Sequence, residues 1–214
     1  EQIIKILCGV RRCGKSTILK SYKNELLSLG VKEQNIIERL YTSVEFDSDF
    51  DYRKMYHELM VLLEKADKNQ KIYLLLDEVQ EVENWEKCVN SLFENQNVDI
   101  YVTGSNSKLL SSEISTYLTG RFVQIPIYTL SFSEFIDFKN HYFPKNSDNA
   151  LDFYFDLYLK TGGFPFLAKT NHSQDENYQI VEGIFSTVIT RDISKRHNIS
   201  NLEMFNRVVR FILE

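Results

Sequence analysis

Residues 3–16 read Ile3-Ile4-Lys5-Ile6-Leu7-Cys8-Gly9-Val10-Arg11-Arg12-Cys13-Gly14-Lys15-Ser16. The stretch begins as a short apolar run, turns at Gly9, and closes on Gly-Lys-Ser, so it fits the pattern G-x-x-x-x-G-K-[ST]. That pattern fixes four residue types. With Gly at about 7% of residues, a chance match in a chain of 214 residues is on the order of one per cent. The residues after Ser16 strengthen the reading. Ile18, Leu19, Tyr22, Leu26 and Leu27 recur at helical spacing, and Gly30 is placed to end that helix. The glycine-bounded loop therefore joins a buried strand to a helix.

The residue types suit phosphate. Gly9 and Gly14 let the backbone curl into a nest of N–H groups, and the helix adds its positive N-terminal end. Lys15 supplies a point charge for the β- and γ-phosphates. The Ser16 hydroxyl is the expected Mg²⁺ ligand, and Thr17 is within reach of the α-phosphate. Arg11 and Arg12 read either as braces for a phosphate or an acidic neighbour, or as solvent-facing charge. The loop is thus expected to bind a nucleoside triphosphate, ATP with Mg²⁺; the bland rival is a Gly-rich turn with an N-cap serine. Cys13 sits among these positive groups, surroundings that favour a reactive thiolate. The rival reading turns its sulfur into the core. Cys8 and Cys88 are expected to be buried.

Working outward, Ile36 to Phe46, Ile72 to Leu76, Ile100 to Thr103 and Phe122 to Ile127 read as strands. Helical patterns cover Asp51 to Ala66 and Trp85 to Phe93. Alternation of strands and helices to residue 127 predicts a parallel sheet with helices on both faces. Beyond Pro126 only helical patterns remain. Ser131-Phe132-Ser133-Glu134 is a capping box, and helices are expected over Ser147 to Thr161, Tyr178 to Thr190 and Leu202 to Leu213. The division is therefore 1–130 as an α/β core and 131–214 as a helical part with the start of a C-terminal region.

The strand Leu74-Leu75-Leu76 runs into Asp77-Glu78. A parallel sheet presents strand C-termini to its ligand crevice. Asp77 would hold Mg²⁺ beside Ser16, usually through water, and Glu78 would take a proton from an attacking water. The second acid favours hydrolysis, since many small-molecule kinases with this loop lack it. Ile100 to Asn106 ends on small polar residues. If that strand neighbours the Asp77 strand, Ser105 or Asn106 would orient the water; otherwise the segment is a turn that caps the next helix.

Composition sets limits. The net charge of −5 leaves no overall electrostatic footprint for nucleic acid. The three cysteines lack metal-ligand spacing and fit free thiols in a reducing compartment. His57, His141, His172 and His197 are scattered. No apolar run approaches a membrane span, and the start is no signal peptide, so a cytoplasmic location is expected. Residue 1 is Glu, and residues 205–214 run in helical pattern to the last position. The chain thus reads as a fragment of a longer polypeptide.

Together these motifs resemble the AAA+ group of P-loop ATPases, and more closely the bacterial and archaeal ATPases related to the STAND and origin-recognition branches. The likeness runs through 9–16, Leu75 to Gln80, Thr103 to Leu110, Leu118 to Phe122, Leu130 to Phe135 and Gly162 to Pro165. It implies a helical lid after the core and a further C-terminal domain. It places Asn106 or Ser105 as the polar sensor and Arg121 at the arginine-finger position, acting on a neighbouring subunit's nucleotide. An arginine bridging to a core carboxylate is the alternative. Pro165 matches an element that contacts adenine, or else simply starts a helix. A lid sensor arginine is missing from 162–166, which argues against a motor-like cycle. The resemblance also implies ATP and ADP as ligands, homo-oligomerisation, and DNA or a protein as partner through the C-terminal domain. The expected activity is slow Mg-dependent ATP hydrolysis that drives or gates a conformational change. The rivals are a nucleotide-dependent switch or scaffold without hydrolysis and, ranked lower, a P-loop small-molecule kinase.

Overall fold

The computed structural model describes residues 3–42, 46, 49–105, 118, 120–144, 151–193 and 199–213. These form two compact units. The first comprises residues 1–9 and 15–127; the second comprises 10–14 and 128–214.

In the first unit, β1 (Ile4–Gly9), α1 (Lys15–Ser28), β2 (Ile36–Leu40), α2 (Tyr52–Glu64), β3 (Ile72–Asp77), α3 (Trp85–Asn95), β4 (Val98–Ser105) and β5 (Phe122–Pro126) follow in order. Their strands make a parallel five-stranded sheet in the order β2-β3-β4-β1-β5. The inner strands β1 and β3 are buried on both faces, which explains why β3 reads as a continuous apolar run rather than an alternating one. Leu74 and Leu76 face α2 and α3, in one cluster with Met55, Leu59, Val89 and Leu92. Leu75 faces the other way, clustered with Leu7 and with Leu19 and Leu26 of α1. All three leucines are 0% exposed. Each such burial stabilises by about 1.5–3 kcal/mol relative to an exposed side chain.

β2 and β4 end elsewhere than expected. β2 stops at Leu40, not Phe46, because Tyr41 turns inward and its ring packs 5.0 Å from Phe46 and 6.0 Å from Phe50. The aromatic run that suits a strand by pattern is an aromatic cluster after the strand. β4 is longer than its apolar run: it passes through Gly104 to Ser105, because β1 still pairs with it there, Cys8 opposite Gly104 and Gly9 opposite Ser105.

The second unit contains α4 (Phe132–Tyr142), α5 (Leu151–Thr161), a short α6 (Pro165–Ala168), α7 (Gln174–Thr187) and α8 (Leu202–Leu213). The Ser131 capping box forms: Ser131 N donates to Glu134 Oε2 at 2.8 Å, and Glu134 N to Ser131 Oγ at 3.4 Å. The Ser131 N–H and hydroxyl, both donating to Glu134 Oε2, hold the Glu134 carboxyl below its usual range. α7 starts earlier than its apolar spacing predicts. It begins at Gln174 rather than Tyr178, capped by an equivalent box from Ser173 and Glu176, and passes into a π-helical stretch at Val188–Ile193. Phe135, Tyr154 and Ala168 form the core of this unit.

Candidate functional site

The sheet order brings three strand C-termini side by side. Thr103 of β4 lies opposite Leu7 of β1, and Gly9 lies opposite Ser105. On the other side β4 pairs with β3, with Leu76 opposite Val102, so Asp77 and Thr103 are neighbours. The strand that bears Ser105 does lie next to the Asp77 strand.

At this edge polar groups are buried and interlocked. Lys15, 4% exposed, donates from Nζ to the Gly9 carbonyl at 3.0 Å. Asp77, 7% exposed, accepts the Thr103 hydroxyl on Oδ1. Its Oδ2 takes no hydrogen bond, and the carboxylate makes no ion pair, among the described residues. Burying a carboxylate without a cation is costly. Glu78 follows at φ 56°, a left-handed conformation uncommon for a residue with a side chain. It is held there because its N–H donates to Thr103 Oγ1 at 3.1 Å. Thr103, 0% exposed, therefore serves both acids at once. Sequence reasoning does not find this role. The signal is present, a hydroxyl on the strand beside Asp77, but the register that pairs them is set by residues 26 apart.

Ser16 and Thr17 occupy the first turn of α1, half-buried and exposed respectively. Both hydroxyls thus follow Lys15 at the head of the helix. Ser105 ends β4 opposite Gly9, and Asn106 lies outside the described residues.

Arg121 stands elsewhere. Phe122 pairs with Ile4, the first residue of β1, so Arg121 lies at the opposite end of the sheet from Gly9. Ile4 and Gly9 are five steps apart along the strand, about 17 Å. Its guanidinium pairs with Glu94 and donates to Asn90 Oδ1 at 3.2 Å. The pairing lowers the Glu94 pKa. The bridge to a carboxylate does form, but with an exposed acid of α3 rather than a core one.

The loop tip counts with the second unit. Cys13 N donates to the Val10 carbonyl at 3.4 Å, and positive φ falls at Arg12 (64°) and Gly14 (107°). The left-handed turns expected of Gly9 and Gly14 are thus carried by Arg12 and Gly14. Such isolated left-handed residues are what backbone nests are built from. Arg11 is half-buried and Arg12 exposed. Cys13 corrects an expectation: at 3% exposed it is as buried as the other two cysteines and is not an exposed thiol. Its side chain fills space while its backbone shapes the loop. Burial, with Glu58 nearby, also pushes the Cys88 thiol up to about 12.

Within the same unit Gly14 and Pro165 are neighbours. A Cβ built on Gly14 would lie 3.8 Å from Pro165 Cγ. Pro165 opens α6, which is fixed at both ends. On its N-terminal side Leu130 N donates to the Gly163 carbonyl at 2.7 Å, and a Cβ at Gly163 would fall 1.9 Å from the Leu130 oxygen. Only glycine fits there. On its C-terminal side the buried Lys139 donates to the Leu167 and Thr170 carbonyls at 3.2 and 2.7 Å.

The donor set fits a Mg-nucleotide. Among the described residues no cluster of three or more His, Cys, Asp or Glu could hold a metal by itself. The oxygen donors present, the Ser16 hydroxyl and the buried Asp77 carboxylate, are of the kind Mg²⁺ takes alongside substrate phosphates. No helix among the described residues is long and apolar enough to cross a membrane.

A family profile described as an AAA domain matches residues 1–136. An uncharacterized protein of Haemophilus influenzae (strain Rd) is 36% identical over 214 residues, covering 99% of this chain and 51% of that protein. Uncharacterized protein MJ1544 of Methanocaldococcus jannaschii is 33% identical over 221 residues, covering 98% of this chain and 46% of its own length. The chain spans about half the length of the curated relatives it matches. Among solved structures, C. elegans PCH-2 is similar with a TM-score of 0.52 at 14% identity, covering 86% of this chain and 61% of that one, a likeness of fold.

Proposed function

This chain belongs to the AAA+ group of P-loop ATPases, and we propose that it binds Mg-ATP at the C-terminal ends of β1, β3 and β4 and hydrolyses it slowly. The observation that carries this reading is Asp77: a buried carboxylate at a strand end, with one oxygen engaged by Thr103 and no ion pair among the described residues. A cation arriving with phosphates would answer its charge.

In this reading Lys15 leaves the Gly9 carbonyl for the β- and γ-phosphates, and the backbone of 10–14 cradles them, with Arg11 and Arg12 as further donors. Mg²⁺, held by Ser16 and Asp77, would neutralise charge on the phosphate oxygens when bound. Thr17 meets the α-phosphate and Pro165 meets adenine. Glu78 accepts the proton of the attacking water, and Ser105 or Asn106 orients that water. Arg121 is too far from its own loop and acts on the nucleotide of a neighbouring copy. Residues 1–130 are the ATPase core and 131–214 the lid region. The lid passes nucleotide state to a DNA or protein partner through the rest of the full-length protein, in the cytoplasm. A chain with a water-activating glutamate suits hydrolysis better than either a passive switch or a kinase.

The test is turnover of full-length protein against Glu78→Gln. Mg-ATP binding is expected to persist while hydrolysis falls by about 10²–10⁴-fold, the range for a lost general base. Equal rates would remove Glu78 from the chemistry.

A further inference from the structure

Glu78 is held at three points, and one of them is a side chain that the proposed reaction does not use. Its backbone is fixed at φ 56°, its N–H is tied to Thr103, and its carboxylate oxygen Oε2 accepts a hydrogen bond from Gln80 Nε2. Gln80 lies two residues on, in the 3₁₀ turn Val79–Glu81, and is only 8% exposed. The same amide nitrogen stands 3.5 Å from Glu81 Oε1. The orientation of the amide follows from chemistry. A carboxylate oxygen accepts and an amide NH₂ donates, so the bond to Glu78 fixes Gln80 with its NH₂ group toward that acid. A glutamate carries three rotatable bonds, and among the described residues the Gln80 amide is the side-chain donor to the Glu78 carboxylate. Backbone placement alone would leave that group free to swing.

We infer that Gln80 is the positioning residue for Glu78: it holds the carboxylate in one orientation so that the base is in place when water attacks. The inference rests on the reading of Glu78 as general base. The turn contributes as well. Val79, 0% exposed, anchors it in the sheet core, so Gln80 is presented on a rigid element rather than on a mobile loop. Gln80 acts through Glu78, whose carboxylate it holds.

The experiment is a double-mutant cycle on steady-state ATP turnover of the full-length protein, with Glu78→Gln, Gln80→Met and the pair. Methionine keeps the length and volume of glutamine and removes the donor. A hydrogen bond to a charged group corresponds to about a 10- to 100-fold effect, so Gln80→Met is expected to lower kcat by about that factor. KM and Mg-ADP affinity by calorimetry should stay within about twofold. In the Glu78→Gln background Gln80→Met should cost no more than about a further twofold, because the group it positions is gone. Gln80→Ala, which introduces no new bulk, is the second variant should methionine disturb folding. A residue that merely packs the turn would lower the rate equally in both backgrounds, or would change nucleotide affinity; either result overturns the inference. If instead Glu78→Gln leaves turnover unchanged, the general-base reading fails first and the inference falls with it. That outcome is distinct from an additive cycle with an active-site effect of Glu78.

Discussion

At the C-terminal end of the sheet, Lys15, Asp77 and Thr103 are 4%, 7% and 0% exposed. Each is fixed by a specific neighbour. At the N-terminal end, Arg121 and Glu94 form an ion pair with side chains 45% and 46% exposed. The same sheet thus carries polar groups in two regimes. In the first, water is excluded and an uncompensated group is expensive. In the second, solvent screens the pair, and such contacts contribute little to stability. Ligand binding is therefore to be sought at the first. Charge is retained in a dry crevice at a cost that a ligand can offset, whereas exposed charge needs no such account.

The largest effect expected from disturbing this contrast concerns Arg121. If it serves a neighbouring copy, turnover per chain rises with protein concentration. At high concentration Arg121→Ala then loses up to about 10³–10⁵-fold, the range for a lost arginine finger. A rate per chain that stays flat across a dilution series would assign Arg121 to the Glu94 bridge alone. A smaller effect belongs to the buried end. Thr103→Val keeps the shape but strips the Asp77 carboxylate of its donor and the Glu78 N–H of its acceptor. Loss of about 1–3 kcal/mol is expected in urea unfolding, the cost of leaving buried polar groups unsatisfied. Wild-type stability in this variant would mean that the hydroxyl does not bridge the two acids. The smallest effect returns to the exposed end: the urea midpoint of Arg121→Ala should not move, and a clear drop would show that the bridge is structural after all.

What is legible in the sequence divides in the same way, between local and distant causes. The loop 9–16, the apolar run of β3 and the acids behind it can be read because each is written in consecutive residues. The parallel sheet follows from alternating periodicities. Thr103 escapes because its role depends on strand register, and the polar residues after it draw the sensor assignment instead. The partner of Arg121 lies 27 residues away on α3, a pairing no local pattern encodes. Gly14 meets Pro165 only through the packing of the second unit, although glycine and proline each stand out in their own segments. For Cys13, sequence shows the charges around a thiol but not the direction in which its sulfur points, so a buried side chain passes for an exposed one. The end of β2 is hidden for a related reason: Tyr41 and Phe46 suit a strand by propensity, yet they pack on each other instead.

If the buried groups at the strand C-termini exist to hold a Mg-nucleotide, calorimetric titration of Mg-ATP into the wild-type protein and into Lys15→Ala must separate the two. Lys15 sits 4% exposed with its ammonium on the Gly9 carbonyl, ready to exchange that oxygen for phosphate. Saturable one-site binding is expected for the wild type, with affinity about 10- to 100-fold weaker in the variant, the worth of a charged hydrogen bond. Equal affinities, or no binding heat in a wild-type protein shown to be folded, would contradict a nucleotide role for this crevice.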